Sequence, residues 1–311
     1  MTDSPCCSPS RDGAATSPGH RKPSGLVSGA DRLMVSLAAT RFTMGSDDPR
    51  GYAADGEGPA HPVGLSSFSV DATTVTVDDF GAFVDAVGHR TGAETYGWSF
   101  VFAGLLPDDF EDTRGVVATP WWRQVFGADW SHPEGPHSDV STRGDHPVVH
   151  ISWLDAMAYC AWAGTTLPTE AQWEYAAGGG LDGARFPWGE DLEPDGRHLM
   201  NVWQGTFPGD NQQGDGYYAT APVSSYPPNG HGLYEMTGNV WEWCADWFDP
   251  RFDRSQQGAD PSGSPIGESR VMKGGSYLCH ASYCHRYRVP ARAGNSPDTS
   301  TGHLGFRTVR D

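Results

Sequence analysis

Cysteine is scarce in this sequence, with six residues among 311. So few cysteines exclude a disulfide-dense scaffold, and a chain of this length can bury a sizeable core without cross-links. The six positions are Cys6, Cys7, Cys160, Cys244, Cys279 and Cys284.

Basic residues are also in the minority. Lys and Arg number 21 against 39 Asp and Glu, which makes the net charge −18. A chain so acidic is repelled by phosphate backbones, so we expect no nucleic-acid partner. The same charge suits Ca²⁺, or a substrate that carries Lys or Arg.

Long apolar runs are absent. No stretch approaches the roughly 18 apolar residues of a membrane helix, and the N-terminus has no hydrophobic segment typical of a secretory signal. We therefore expect no membrane partner and a cytoplasmic protein whose thiols stay reduced. Residues 1–30 are rich in Ser, Pro and Gly and predict a disordered tail, in which Cys6 and Cys7 are incidental.

What the sequence has in abundance is Gly (40), Pro (24) and aromatic residues (12%). Many turns with a large aromatic complement predict an irregular α+β fold of low secondary-structure content, as one domain over residues 31–311. Three helices are expected, each opening on a capping box: Thr76 with Asp79, Ser152 with Asp155, and Thr169 with Gln172. Residues 90–147 are expected to form a loop-rich insertion.

Two further segments contain Gly-rich motifs. "GGGLDG" (178–183) matches the spacing of a dinucleotide-binding loop, but it follows a helix, so it indicates a helix end and a turn. "DNQQGDGYY" (210–218) has oxygen-bearing side chains suited to Ca²⁺ but departs from the EF-hand pattern, so taken by itself it favours a plain turn.

The segment "GGSYLCHASYC" places Cys279 and Cys284 five residues apart. As continuous strand the two would lie about 16 Å apart on opposite faces, so joint action requires residues 280–283 to turn. A disulfide, a zinc site completed by His280 and His285, a Cu(I) site and a structural pair all remain open on spacing alone.

Longer motifs in the sequence indicate which of these interpretations of the cysteine pair is favoured. "HPVVHISWLDAMAYCAWAGTTLPTEAQWEYAAGGG", "PPNGHGLYEMTGNVWEWCADW", "GGSYLCHASYCHRYR" and "LGFR" resemble the formylglycine-generating enzyme (sulfatase-modifying factor) family. The resemblance covers about residues 44–307 and implies a fold related to C-type lectins. The Cys-x₄-Cys pair is its most specific part, because superfamily relatives outside the aldehyde-forming enzymes lack it.

The resemblance implies an oxidase that activates sulfatases. Cys279 and Cys284 would hold Cu(I), and O₂ would oxidise the cysteine of a C-x-P-x-R motif in an unfolded sulfatase to Cα-formylglycine. A further set of matching positions would shape the active site: Ser276, Tyr283, Trp241, Arg286 and Arg292. Ser276 and Tyr283 would orient oxygen species or water, and Trp241 would line the pocket.

The same resemblance implies two structural Ca²⁺ sites. The first matches Asn201, Val202, Asp215 and Tyr217. The second matches Glu235, Gly238, Val240 and Glu242.

Two rival hypotheses are a non-catalytic, lectin-like binding module and a dithiol oxidoreductase that works by disulfide exchange. For the oxidase we also expect a monomer and an acidic groove for the arginine of the substrate.

Overall fold

The computed structural model describes residues 8–11 and 32–311. Most of the predicted tail, including Cys6 and Cys7, lies outside the described residues. Residues 8–11 pack against the domain, with Ser8 and Arg11 each 8% exposed. For these four residues the prediction of disorder is wrong, because their polar groups bond to buried residues of the domain.

Four α-helices are described: α1 Val77–Val87, α2 Gly92–Tyr96, α3 Trp153–Ala163 and α4 Glu170–Gly178. The three predicted helices are confirmed, each with its capping box formed and each ended by a glycine in the left-handed region. In α1, Phe80 and Phe83 are buried in the core, whereas Val87 near the end of the helix is 39% exposed.

The strands among the described residues are short and belong to five small sheets. In chain order they are β1 Met34–Leu37, β2 Thr40–Met44, β3 His61–Leu65, β4 Phe68–Asp71, β5 Trp98–Phe102, β6 Arg114–Val116, β7 Thr119–Phe126, β8 Gly205–Thr206, β9 Asp210–Asn211, β10 Trp241–Phe248, β11 Ser269–Lys273, β12 Ala293–Asn295, β13 Leu304–Gly305 and β14 Val309–Arg310. The expected irregular α+β architecture with low secondary-structure content is confirmed.

The expectation of a loop-rich insertion over residues 90–147 is wrong in its first half. This region holds α2 and an antiparallel sheet of order β5-β7-β6. In β5, Trp98, Phe100 and Phe102 lie on one face and join an aromatic cluster with Trp203 and Leu278. Aromatic side chains at alternate positions stabilise a strand on a half-buried surface, and this signal was present in the sequence.

The central sheet has the order β12-β11-β10-β13 and frames the candidate site. Strand β10 is buried on both faces: Trp241 and Trp243 are fully enclosed, while Glu242 is 1% exposed on the other side. There Arg307 donates two hydrogen bonds of 2.7 and 2.8 Å to the Glu242 carboxylate. The long connection from β11 to β12 (residues 274–292) contains both cysteines of the pair.

No helix in the described ranges is long and apolar enough to cross a membrane.

Candidate active site

A tight turn brings the two cysteines together. The backbone N–H groups of Tyr283 and Cys284 donate to the His280 carbonyl, at 2.9 and 2.7 Å. The predicted turn between the cysteines is thereby confirmed. The Cys279 and Cys284 sulfur atoms lie 3.6 Å apart, far beyond the S–S bond of roughly 2.05 Å in a disulfide. Both residues are at most 1% exposed.

Hydrogen-bond donors and a cation surround the sulfur atoms. The Ser276 N–H donates to Cys279 Sγ at 3.4 Å, and Arg286 Nη1 lies 3.7 Å from Cys284 Sγ. A guanidinium and an N–H donor both favour a thiolate over a thiol. The site is therefore built to hold negative charge on sulfur.

Arg286 is itself held in place from a distant part of the chain. Its guanidinium pairs with the Asp55 carboxylate at 2.6 and 3.2 Å and lies 3.8 Å from the Tyr52 ring centroid. Burial raises the pKa of Asp55 while Arg286 opposes that shift. Burial, with a contribution from nearby Cys284, raises the pKa of Tyr52 to about 12. Sequence reasoning missed Asp55 and Tyr52, because their segment carries no periodic pattern or motif.

Arg292 has a different environment. It makes a bidentate ion pair with Glu170, with both contacts at 2.8 Å, and Arg254 and Lys273 lie near the same carboxylate. Although burial disfavours the Glu170 charge, these three cations lower its pKa to about 2. The contacts of Arg292 stabilise a buried ionic network and do not reach the sulfur pair.

The other predicted active-site residues are Tyr283, Trp241 and Ser276. Tyr283 stacks on Phe207 with centroids 4.5 Å apart and meets Trp121 edge-on at 5.1 Å. Trp241 is fully buried in the same apolar cluster as both cysteines. Ser276 is also fully buried, and its hydroxyl accepts the Leu278 N–H at 3.3 Å.

The histidines do not support a zinc site. Both ring nitrogens of His285 are engaged, by the Tyr52 hydroxyl at 2.9 Å and the Arg50 carbonyl at 2.7 Å. His280 Nδ1 contacts Ser282 at the surface. Within residues 8–11 and 32–311 no three His, Cys, Asp or Glu side chains form a metal-binding group. Two adjacent, buried cysteine sulfurs fit a soft ion of low coordination number, and Cu(I) is such an ion.

Three residues of the first predicted calcium set, Val202, Asp215 and Tyr217, are joined by hydrogen bonds. Asp215 accepts hydrogen bonds from the Val202 N–H at 3.0 Å and the Tyr217 N–H at 3.1 Å. Gln204 Nε2 also donates to Asp215, at 2.8 Å, and to the Val202 carbonyl. Asp215 and the Val202 carbonyl thus share one amide donor, whereas the Asn201 side-chain amide donates to the Ala219 carbonyl at 2.8 Å and to Asn239 at 3.3 Å.

The second set fits only in part. Glu235 Oε1 is buried and has no hydrogen-bond partner among the described residues, and burial raises the pKa of Glu235 to about 8. A carboxylate oxygen in that position suits a cation. Glu242 does not fit, because Arg307 and the Trp173 indole N–H (2.8 Å) already satisfy its carboxylate.

Comparison with known proteins identifies the family that the chain resembles. A family model described as "Sulfatase-modifying factor enzyme 1-like domain" matches residues 25–311. The chain is 53% identical over 281 residues to the formylglycine-generating enzyme of Streptomyces coelicolor, covering 90% of each chain. It is also 43% identical over 287 residues to a Bos taurus protein named inactive C-alpha-formylglycine-generating enzyme 2, covering 91% of this chain and 89% of that one.

One solved structure shows the same fold. PvdO from Pseudomonas aeruginosa, at 24% identity, superposes with a TM-score of 0.66 over 94% of this chain and all of that one.

Proposed function

Because the chain belongs to the sulfatase-modifying factor enzyme 1-like family, we propose that it activates sulfatases by oxidising a cysteine to Cα-formylglycine. The proposed target is the cysteine of a C-x-P-x-R motif in an unfolded sulfatase, the oxidant is O₂, and Cu(I) is the cofactor. Family membership alone does not carry this proposal, since one relative is named as inactive.

The observation that carries the proposal is the sulfur pair. Two buried cysteines lie 3.6 Å apart beneath an arginine and a backbone N–H donor. A thiol that only fills the core needs neither a second sulfur nor a cation beside it. Burying a guanidinium next to two sulfur atoms costs free energy unless a negative charge is held there. The pair therefore supports thiolate chemistry in preference to a lectin-like binding role.

Each residue then has a defined task. Cys279 and Cys284 would bind Cu(I), which supplies one-electron chemistry with O₂ when bound. Arg286 stabilises the negative charge on Cys284, and Asp55 positions Arg286. Tyr283, next to Cys284, stacks on Phe207, and the burial of both cysteines excludes bulk water, which strengthens every electrostatic contact inside.

The decisive experiment uses the full chain, reduced and loaded with one equivalent of Cu(I). A synthetic peptide containing C-x-P-x-R is incubated with it under air and a thiol reductant, and its mass is followed. We expect the mass loss of replacing CH₂SH by CHO, dependent on copper and O₂. Turnover without copper would overturn the metal mechanism and favour disulfide exchange instead.

Cu(I) binding provides a readout that does not depend on turnover. Competition against a Cu(I) chelator should give tight one-to-one binding for the native chain and none for Cys279→Ala or Cys284→Ala. Equal affinity of Cys279→Ala and the native chain would show that the metal binds elsewhere.

We also propose Ca²⁺ at the first calcium set, on the support of the Asp215 contacts. Calcium bound only by the folded state stabilises it by about 2.7 kcal/mol at 100 times its Kd. The melting temperature should therefore rise with added Ca²⁺ in the native chain and not in Asp215→Asn. Asp210→Asn, an exposed neighbour, is the matched control and should respond like the native chain. A response that survives in Asp215→Asn would contradict the assignment.

A further inference from the structure

The segment Ser8–Arg11 binds to the domain as a peptide would. Residues 12–31 separate it in the sequence from the rest of the described chain. Nevertheless Ser8 and Arg11 are each only 8% exposed, and the residues beneath them, Asn295, Thr299 and Ser300, are fully buried. The segment therefore occupies a formed groove on the domain.

Arg11 is bound most specifically. Its guanidinium lies between two aromatic rings, 4.2 Å from the Tyr96 centroid and 3.9 Å from the Trp98 centroid. Nη2 donates to the Trp98 carbonyl at 2.7 Å and to the Ser300 hydroxyl at 3.0 Å. Cation–π stacking combined with two directed hydrogen bonds selects arginine over lysine.

This arginine site is aromatic, whereas the sequence led us to expect an acidic groove. No ion pair joins Arg11 to a carboxylate within the described residues, and burial lowers the pKa of Arg11 to about 10. Asp298 acts from further away and accepts a hydrogen bond from the Tyr96 hydroxyl at 3.3 Å.

Asn295 binds the other three residues of the segment. Its Nδ2 donates to the Ser8 hydroxyl at 2.8 Å and to the Pro9 carbonyl at 3.1 Å. Its Oδ1 accepts from the Ser10 hydroxyl. One amide thus fixes the path of the segment, and Thr299 adds a bond from the Arg11 N–H at 2.9 Å.

The sequence of the bound segment indicates why the domain binds it. Residues 7–11 read Cys-Ser-Pro-Ser-Arg, which fits C-x-P-x-R, the motif proposed above as the enzyme's target. We propose that this N-terminal segment is a substrate of the enzyme's own active site, bound in cis, and that Cys7 is converted to formylglycine. This inference rests on the proposed function.

The spacing of the groove agrees with this assignment. Trp98, which binds Arg11, is four residues before Phe102 on β5, a distance of about 13 Å. Phe102 pairs with Trp122, and the neighbouring Trp121 contacts Tyr283 beside Cys284. Cys7 precedes Arg11 by the same four residues, so an extended segment anchored at Arg11 has the length needed to reach the sulfur pair.

The reaction balances with O₂ and an external thiol as co-reactants. The Cβ–S bond of Cys7 breaks and Cβ becomes an aldehyde, and the products include H₂S and H₂O. O₂ accepts four electrons: two come from the side chain, and two come from two molecules of thiol, which become a disulfide.

Binding in cis has a kinetic consequence. A tethered peptide has an effective concentration on the order of millimolar, so the segment competes with any external C-x-P-x-R peptide for the groove. Weakening the segment should therefore lower the KM for the external peptide.

The test uses the full chain, reduced, loaded with Cu(I) and exposed to air with a thiol reductant. An aldehyde-reactive probe and mass analysis of the N-terminal peptide report on Cys7, while an external C-x-P-x-R peptide is assayed in the same samples. We expect label on Cys7 at a rate independent of protein concentration. The label should be lost in Cys7→Ala and retained in the matched control Cys6→Ala. Arg11→Ala should lose most of the label and show a lower KM for the external peptide.

The outcomes separate the two proposals. Conversion of the external peptide while Cys7 keeps its thiol overturns this inference and leaves the proposed function standing. Conversion of neither peptide overturns the proposed function and this inference with it. A labelling rate that rises in proportion to protein concentration would overturn binding in cis, because the segment would then be modified by a second copy.

Discussion

Four described cysteines are almost completely buried, yet they occupy two different kinds of environment. Cys160, on α3, is a lone thiol whose pKa burial raises to about 12. Cys244, on β10, is likewise a free thiol whose pKa burial raises well above its usual range. Cys279 and Cys284 lie equally deep but face each other, with Arg286 and the Ser276 N–H beside them.

The comparison shows that burial alone does not decide what a cysteine does. In an apolar setting, burial disfavours the thiolate and leaves an inert core residue. In the pair of Cys279 and Cys284, an N–H donor and a guanidinium lie beside the sulfur atoms, and both favour the thiolate. The difference lies in the partners that the fold brings to each sulfur.

The largest expected effect tests this contrast directly. Replacing either Cys279 or Cys284 by Ala should lower turnover of the C-x-P-x-R peptide by at least about 10³-fold, since a residue of the reacting site is removed. Cys160→Ala and Cys244→Ala should keep turnover within a few-fold while costing about 1 kcal/mol of stability through a small cavity. Steady-state kinetics and urea unfolding of all four variants measure these effects. Equal losses of turnover in the four variants would contradict the distinction between the sulfur pair and the two core thiols.

Arg292→Ala should act on the fold and not on the sulfur atoms. Removing one partner of its buried bidentate pair leaves Glu170 incompletely compensated, at a cost of about 3–5 kcal/mol. Urea unfolding measures the loss, and Cu(I) affinity of the folded fraction should be unchanged. A selective loss of Cu(I) affinity at full stability would instead place Arg292 in the active site.

Arg286→Ala, unlike Arg292→Ala, should act on the sulfur atoms and lower the affinity for Cu(I). Loss of a residue that contacts a metal ligand typically changes metal affinity or activity by about 10–100-fold, so Cu(I) affinity should fall by that order. Asp55→Asn should reproduce part of the loss, because it releases the guanidinium. Unchanged affinity in both variants would show that the contact between Arg286 and Cys284 has no functional weight.

The smallest effect concerns Asp246, which lies two residues after Cys244. Burial, reinforced by the nearby Glu170 charge, raises the pKa of Asp246 from 3.8 to about 7. The folded state therefore binds a proton that the unfolded state releases, and stability falls as pH rises from about 4 to about 7. Asp246→Asn should remove this slope and raise stability by at least about 1 kcal/mol at pH 7. Parallel unfolding curves of both proteins over that pH range would contradict the assignment.

The sequence by itself determined the local parts of this protein. The three capping boxes and their glycine stops depend on residues within one or two helical turns, so α1, α3 and α4 were predictable with their ends. Cys279 and Cys284 were identified by a Cys-x₄-Cys pattern of six residues, and the turn between them followed from the need to bring both sulfur atoms together.

Only the tertiary structure decided which distant groups meet. Asp55 reaches Arg286 across 231 positions, Arg307 takes the carboxylate of Glu242, and Ser8 meets Asn295 across 287 positions. No periodicity or local spacing encodes such contacts, because they depend on the path of the whole chain through a fold made largely of irregular segments. For the same reason a tail predicted as disordered contains a bound segment: its affinity comes from rings and hydroxyls that only the folded domain brings together.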